Sequence, residues 1–306
     1  MIRVTLDKTE LSEATCKTLK QLVDTIRSET PGQIQSRYIS CINLHRGEML
    51  NEIKETFWAT KRPMVVQGLP EFSDIEDTKI LLLLLGESIG KCAAYSEYNQ
   101  SYITDIRPTK QSAEASSGTE LLSMHNDLAF ATDGCRPAAL VLVPHIADNT
   151  VPKTLIATTE AIVSALPQDV IDILEQRIFE IRSGAKLLWP CEQIRRISII
   201  DYDAYGVQRL RLNFNNVSPI PTLNPEEANL ARHALDQAAQ EALLIGRMEG
   251  HQILKGEALL IPNDYCLHGR DIYSGDCMDR LLLRSYIMTE EMVKLNHGNT
   301  MVSLRL

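Results

Sequence analysis

His125, Asn126 and Asp127 are the first residues in this chain whose types and spacing could do chemistry. In an extended segment, residues i and i+2 point to one face. His125 and Asp127 can therefore offer an imidazole nitrogen and a carboxylate oxygen to one metal ion. A second histidine far along the chain would complete a 2-His-1-carboxylate facial triad, which leaves positions on Fe(II) open for substrate and oxygen. Alone the tripeptide is weak, since such triplets are common and a capped turn explains one equally well. The distal end supplies context. Asn263-Asp264-Tyr265-Cys266-Leu267-His268-Gly269-Arg270 follows an apolar run, and Asp279-Arg280 and Leu281-Leu282-Leu283-Arg284 come soon after. In a strand, 280 and 284 share a face. Two guanidiniums on an otherwise apolar strand are costly to bury without anions, and the planar Arg fork receives a carboxylate in bidentate fashion. The competing explanation is a strand edge with solvated arginines, against which the flanking leucines argue.

The elements that must position these residues fall into two regimes. Leu19, Leu22, Val23 and Ile26 keep a helical period, as do Met49, Leu50, Ile53 and Phe57. Pro63 and Met64-Val65-Val66 read as a buried strand ended by Gly68-Leu69-Pro70. Residues 78–90 read as an apolar helix closed by Gly90 at C′. Beyond about residue 92, strand-like runs dominate: 101–106, 138–143, 197–202, 210–217, 258–261 and 281–288. Two helical insertions interrupt them. One covers about 158–178 with a break at Leu166-Pro167, and the other starts at Asn224-Pro225-Glu226-Glu227, an N-cap, a proline at N1 and a glutamate at N3. Many short strands with helices outside predict a two-sheet β-sandwich or jelly roll.

Composition bounds the function. The chain has 306 residues, 44% hydrophobic and 23% charged, with a net charge of −9. That is a globule with enough apolar residues for a large core, and an acidic one, which argues against nucleic acid or an anionic membrane as partner. The longest apolar run, Ile80 to Leu85, is far too short to span a bilayer, and residues 1–15 lack the apolar stretch of a secretory signal. The seven cysteines (16, 41, 92, 135, 191, 266, 277) form no CxxC pair and read as small buried hydrophobes in a reducing, cytoplasmic setting. Nothing here sets an oligomeric state. His45, His233 and His297 read as surface residues, His145 as a strand end and His251 as part of a Gly-rich turn; Trp58 and Trp189 read as packing residues.

From about Val65 to Met288 the chain resembles the clavaminate synthase-like group of Fe(II)/2-oxoglutarate-dependent oxygenases, related to taurine dioxygenase. The resemblance is carried by an ordered set: Val66-Gln67-Gly68-Leu69-Pro70, Leu83 to Gly90, Asp105-Ile106-Arg107-Pro108, Ser117 to Phe130 with Arg136-Pro137, Ala258 to Arg270, and Asp279 to Arg284. It implies an α+β, mainly β fold: a double-stranded β-helix (jelly-roll, cupin-like) core with N-terminal and inserted helices. One catalytic domain is then expected over 1–306, with an N-terminal helical region at 1–62, the core at 63–290 carrying the insertion at about 222–247, and a tail at 291–306. The resemblance implies His125, Asp127 and His268 as iron ligands, Arg280 and Thr154 as contacts of 2-oxoglutarate, and Arg284 as the partner of a substrate carboxylate; an ordinary strand threonine is the competing reading of Thr154. Two departures stand out. Asp127 replaces the longer Glu of members nearest clavaminate synthase, and Asn263-Asp264 stands where the family has Asn-Arg. Related halogenases have Gly or Ala at the carboxylate position, so Asp127 argues against halogenation.

Substrate choice is read from Arg209 to Asn216, which alternates with period two, placing Leu210, Leu212 and Phe214 on one side and Arg211, Asn213 and Asn215 on the other. Similar segments of amino-acid hydroxylases carry acids that hold a cationic side chain; amides stand here. If Asn213 and Asn215 line the pocket, a neutral or amide-bearing side chain is expected, because no carboxylate is offered to a cation. The competing reading is a half-exposed strand. Tyr98 and Asn99 resemble another substrate-side segment of the family. The expected activity is hydroxylation of a small molecule, a free amino acid or its derivative, using Fe(II), 2-oxoglutarate and O2, with desaturation or cyclisation in natural-product biosynthesis as the alternative outcome on the same site. A non-catalytic jelly-roll binding protein and a zinc hydrolase are the rival classes; the latter has no use for the Arg280/Arg284 pair.

Overall fold

The computed structural model describes residues 6–30, 32, 34–45, 50–98, 100–108, 117–147, 150–183, 194–273 and 279–304. Met49, Asn99, Trp189, Cys191 and Cys277 lie outside these residues, as does the side chain of Tyr98.

The two hydrophobic strands at the centre explain the architecture. In Ala139–Ile146, the side chains of Ala139, Val141 and Val143 pack into one apolar cluster, and those of Leu140 and Leu142 into another. In Leu281–Met288, Leu281, Leu283 and Ile287 join the first cluster, and Leu282, Tyr286 and Met288 the second. Both faces are buried, so these strands read as unbroken apolar runs rather than alternating ones. They form the middle of an eight-stranded sheet ordered Asp7–Glu10, Met64–Gln67, Glu257–Pro262, Ala139–Ile146, Leu281–Met288, Lys91–Tyr95 and Met301–Val302, with Thr104–Ile106 pairing the first half of Leu281–Met288.

The outer face is covered by helices. Ile75–Ile89 lies against it, starting from Asp74, whose carboxylate accepts from the Glu76 backbone NH. Leu19, Val23 and Ile26 of Glu13–Glu29, Tyr38 and Ile42 of Gln35–His45, and Ile53 and Phe57 of Asn51–Thr60 complete this cluster. Gln35–His45 was not expected, because its buried residues Tyr38, Cys41 and Ile42 give too short an apolar pattern to mark a helix. The inner face looks toward a three-stranded sheet ordered Leu122–His125, Cys266–Arg270, Thr154–Thr158, with the helix Pro225–Glu249 packed behind. The fold is a jelly roll, mainly sheet, with N-terminal and inserted helices. Asp7–Glu10 runs parallel to Met64–Gln67, and Met301–Val302 parallel to Lys91–Tyr95, so these two strands form the edges of the large sheet.

Gly90 acts differently from the expectation. Its φ of −175° is extended backbone that any residue adopts, so no left-handed cap calls for glycine. Space does: a Cβ there would lie 2.6 Å from the Met288 carbonyl oxygen and 2.6 Å from Ile287 Cγ2. Gly90→Ala is expected to cost about 1–3 kcal/mol through overpacking, read as a lower urea midpoint with an unchanged slope.

Candidate active site

Strand pairing brings the distant histidines together. Cys266–Arg270 is antiparallel to Leu122–His125, and His268 stands opposite His125, so both rings project from one face. Their centroids are 4.5 Å apart. Asp127 follows in the turn after the strand; its Oδ1 lies 3.3 Å from His125 Nε2 and its Oδ2 3.7 Å from His268 Nε2. The donor atoms of all three lie within 4.8 Å of one another.

The electrostatics suit a cation. Burial would raise the Asp127 carboxyl, but the Arg284 guanidinium and the hydrogen bonds from both imidazoles hold it well below the usual carboxylate range. Burial, and after it the neighbouring His125, lower the pKa of His268. The set is one carboxylate with an imidazole that favours its neutral, ligating form. His125 Nδ1 lies 2.8 Å from the Ser123 carbonyl oxygen, which can only accept, so Nδ1 carries a proton and Nε2 is the nitrogen that faces a metal ion. The donor types, their spacing and their protonation fit Fe(II).

Two buried asparagines, quoted in the sequence motifs but given no role there, fix the turn. Asn263 Oδ1 accepts from the Asp127 backbone NH at 2.9 Å, and its Nδ2 donates to the Asp127 and Pro137 carbonyls at 3.0 and 2.9 Å. Asn126 donates to the Asn263 carbonyl, and its Oδ1 accepts from the Leu212 backbone NH at 2.8 Å. Asn263→Ala leaves buried peptide groups without partners at roughly 1–3 kcal/mol each. It is expected to lower both the denaturation midpoint and the affinity for Fe(II), measured by metal titration; an unchanged iron affinity would show that the turn holds its shape without this amide. Asp264, standing where the family has arginine, accepts from Arg136 Nε at 2.8 Å.

Arginines gather beside the donors. Arg284 lies on the inner face with Leu282 and Tyr286; its Nη1 is 2.9 Å from Asp127 Oδ2, and its guanidinium sits 4.5 Å from the Tyr286 ring centroid. Arg280 Nη1 donates to the Tyr273 hydroxyl at 3.3 Å, and Arg270 lies 5.1 Å over the same ring. Arg270 and Tyr273 were missed as site residues, although Arg270 follows His268 by two in a strand and so had to share its face. Burial lowers the Arg270 pKa, with Arg280's like charge adding and Tyr273 opposing. Two buried guanidiniums thus flank one tyrosine, and Arg270 also donates to the Glu120 carbonyl at 2.8 Å. Thr154 stands opposite Arg270 in the neighbouring strand, on the same face and one step along from His268. His251, expected in a Gly-rich turn, bridges Thr154 through both backbone hydrogen bonds, with Nε2 2.9 Å from Glu257 Oε2.

The segment 209–217 departs from the expected alternating strand. Only Gln208–Leu210 and Val217–Pro219 are strands; Asn213 makes an isolated bridge with His125, and residues 214–216 turn. Arg211 does not share an open face with the amides. It is buried, donating to the Ala129 carbonyl at 2.6 Å and to the Ala131 carbonyl, because those loop carbonyls need donors. Asn213 is half-buried next to the triad, whereas Asn215 is exposed in the turn, its Nδ2 3.3 Å from Ser123 Oγ.

A family model described as taurine catabolism dioxygenase TauD, TfdA family matches residues 42–286. The chain belongs to this family and is an Fe(II)/2-oxoglutarate-dependent dioxygenase. No curated protein sequence matches it. Among solved structures it is similar to an asparagine oxygenase in complex with Fe(II), 2S,3S-3-hydroxyasparagine and succinate: TM-score 0.76, 18% identity, covering 92% of this chain and 93% of that one. It is also similar to the non-heme iron oxygenase OrfP in complex with Fe, succinate and (3S)-hydroxy-L-Arg, with TM-score 0.73, 17% identity, and 96% and 98% covered. OrfP with Fe and alpha-ketoglutaric acid gives TM-score 0.72 at 17% identity, with 94% and 95% covered.

Proposed function

We propose that this dioxygenase hydroxylates an unactivated C–H of a free amino acid or amino-acid-derived small molecule whose carboxylate is received by Arg284 and whose side chain is neutral. His125, Asp127 and His268 hold Fe(II); Arg280 and Thr154 hold 2-oxoglutarate. Bound iron, with 2-oxoglutarate and O2, supplies the oxidation of the C–H bond, and 2-oxoglutarate leaves as succinate and CO2. The protein's part is orientation. Arg280 and Arg270 offer charge to the co-substrate's distal carboxylate, and the buried inner faces of the two sheets exclude water.

The observation that carries the substrate reading is the Arg284–Asp127 contact of 2.9 Å: a carboxylate seated on that guanidinium lies beside the iron donors. The hydroxyasparagine and hydroxyarginine held by the similar oxygenases support an amino acid as the substrate class. A neutral side chain is favoured because no carboxylate stands beside Asn213 in the segment 209–217, and Asp133, an acid from a separate loop, already lies 3.5, 3.7 and 3.8 Å from Arg136, Arg209 and Arg211. Asn213 is the amide next to the triad that would meet such a side chain; Tyr98 would add a further substrate contact, and the exposed Asn215 a contact at the rim. Desaturation or cyclisation in natural-product biosynthesis remains a second outcome of the same geometry. Among the described residues no helix is long and apolar enough to cross a membrane, and the cysteines are unpaired; we place the reaction in the cytoplasm.

The test is succinate release with Fe(II), 2-oxoglutarate and air across the free amino acids, with products weighed for an added oxygen or two lost hydrogens. Amide and aliphatic side chains are expected to be turned over best, and Asn213→Ala to erase that preference. Arginine or lysine as the best substrate overturns the charge argument.

A further inference from the structure

Outside the jelly-roll interior, a second group of ligating side chains lies on the N-terminal helical layer. Glu29 is the last residue of Glu13–Glu29, and Cys41 and His45 stand four apart on Gln35–His45, so the two share one helical face. Glu29 Oε2 lies 3.2 Å from Cys41 Sγ and 3.0 Å from His45 Nε2. The three donor atoms lie within 4.8 Å of one another.

We propose that Glu29, Cys41 and His45 form a second metal site, which takes Zn2+ with a water in the fourth position. Tetrahedral zinc, with Zn–S of about 2.3 Å and Zn–N and Zn–O of about 2.0 Å, sets the S···O edge at ~3.5 Å and the N···O edge at ~3.3 Å. The observed edges are a few tenths of an ångström shorter, a gap closed by small side-chain rotations. Cys41 is buried at the base, while the His45 and Glu29 side chains are 37% and 49% exposed, which leaves the fourth position open to solvent. A thiolate and a carboxylate balance the charge of a divalent cation. The sulfur separates this site from the catalytic donors: thiolate with imidazole favours zinc, whereas two imidazoles and a carboxylate with open positions suit Fe(II). A bound ion would pin Glu13–Glu29 to Gln35–His45 on their solvent side, away from the apolar face that both helices turn to Ile75–Ile89.

The competing explanation of the cluster is two hydrogen bonds to Glu29 and no affinity for metal. The experiment uses full-length His268→Ala protein, in which the catalytic donor set is broken, stripped with chelator and titrated with Zn2+ and separately with Co2+. One tight equivalent of Zn2+ is expected, and Co2+ is expected to give the near-ultraviolet sulfur-to-cobalt charge-transfer band that nitrogen and oxygen donors alone do not produce. Adding Cys41→Ser, which keeps a hydroxyl for Glu29, should abolish the band; adding His45→Ala at the exposed position should abolish tight binding without loss of fold. Absence of the band in His268→Ala, or its persistence with Cys41→Ser, overturns the site. Because catalytic turnover is not the readout, failure here is distinct from failure of the oxygenase reading.

Discussion

Succinate formation from 2-oxoglutarate is expected to fall to background in His125→Ala, Asp127→Ala and His268→Ala, since each removes one of three protein ligands. The three variants should differ in stability. The histidine variants lose the packing of a ring, half-buried at His125 and buried at His268, but leave no buried charge unpaired, so they should lose less stability than Asp127→Ala. Asp127→Ala also removes the carboxylate that faces the buried Arg284 guanidinium, and breaking a buried pair from one side costs about 3–5 kcal/mol. Asp127→Asn, which keeps the volume and one oxygen, separates the two effects: it should recover part of the stability and none of the turnover. The measurements are succinate by mass spectrometry and urea denaturation followed by circular dichroism. Wild-type-like turnover in any of the alanine variants would falsify the ligand set.

The two inner arginines should separate kinetically. Arg280→Ala is expected to raise the KM for 2-oxoglutarate by at least ~30-fold, because losing one partner of a buried charge pair costs about 2–5 kcal/mol and about 1.4 kcal/mol is tenfold. The KM of the primary substrate should move little. Arg284→Ala should act in the opposite pattern, on the primary substrate first. Its contact with Asp127 adds a second signature: without that guanidinium the carboxyl loses the positive charge that lowers its pKa, so Asp127 protonates at higher pH. The Fe(II) requirement of Arg284→Ala should therefore rise as pH falls, while that of Arg280→Ala should not. Exchange of the two KM effects would mean that 280 and 284 have been assigned to the wrong carboxylates.

The sequence by itself carried the chemistry. The donor types, the His125–Asp127 spacing, the His268-Gly269-Arg270 run and the two distal arginines are local facts, because the faces of a strand follow from its period of two. The central strands were legible for the same kind of reason: burial on both faces leaves an apolar run that no turn interrupts. What the tertiary structure decided lies in contacts between distant segments. It set His268 opposite His125 by pairing strands far apart in sequence, and it tied Asp127 to the core through Asn263, whose amide meets three backbone groups that no local pattern connects to it. It also brought Arg284 onto Asp127. It took Arg211 out of the alternation expected for 209–217, because the carbonyls of Ala129 and Ala131, buried by the fold, needed a donor more than the strand needed its period. It gave Gly90 its reason, the close passage of Ile287 and Met288. A sequence shows which groups can react and which face they share with near neighbours; which groups satisfy one another's charge and hydrogen bonds is settled only when the sheets close on each other and water is gone.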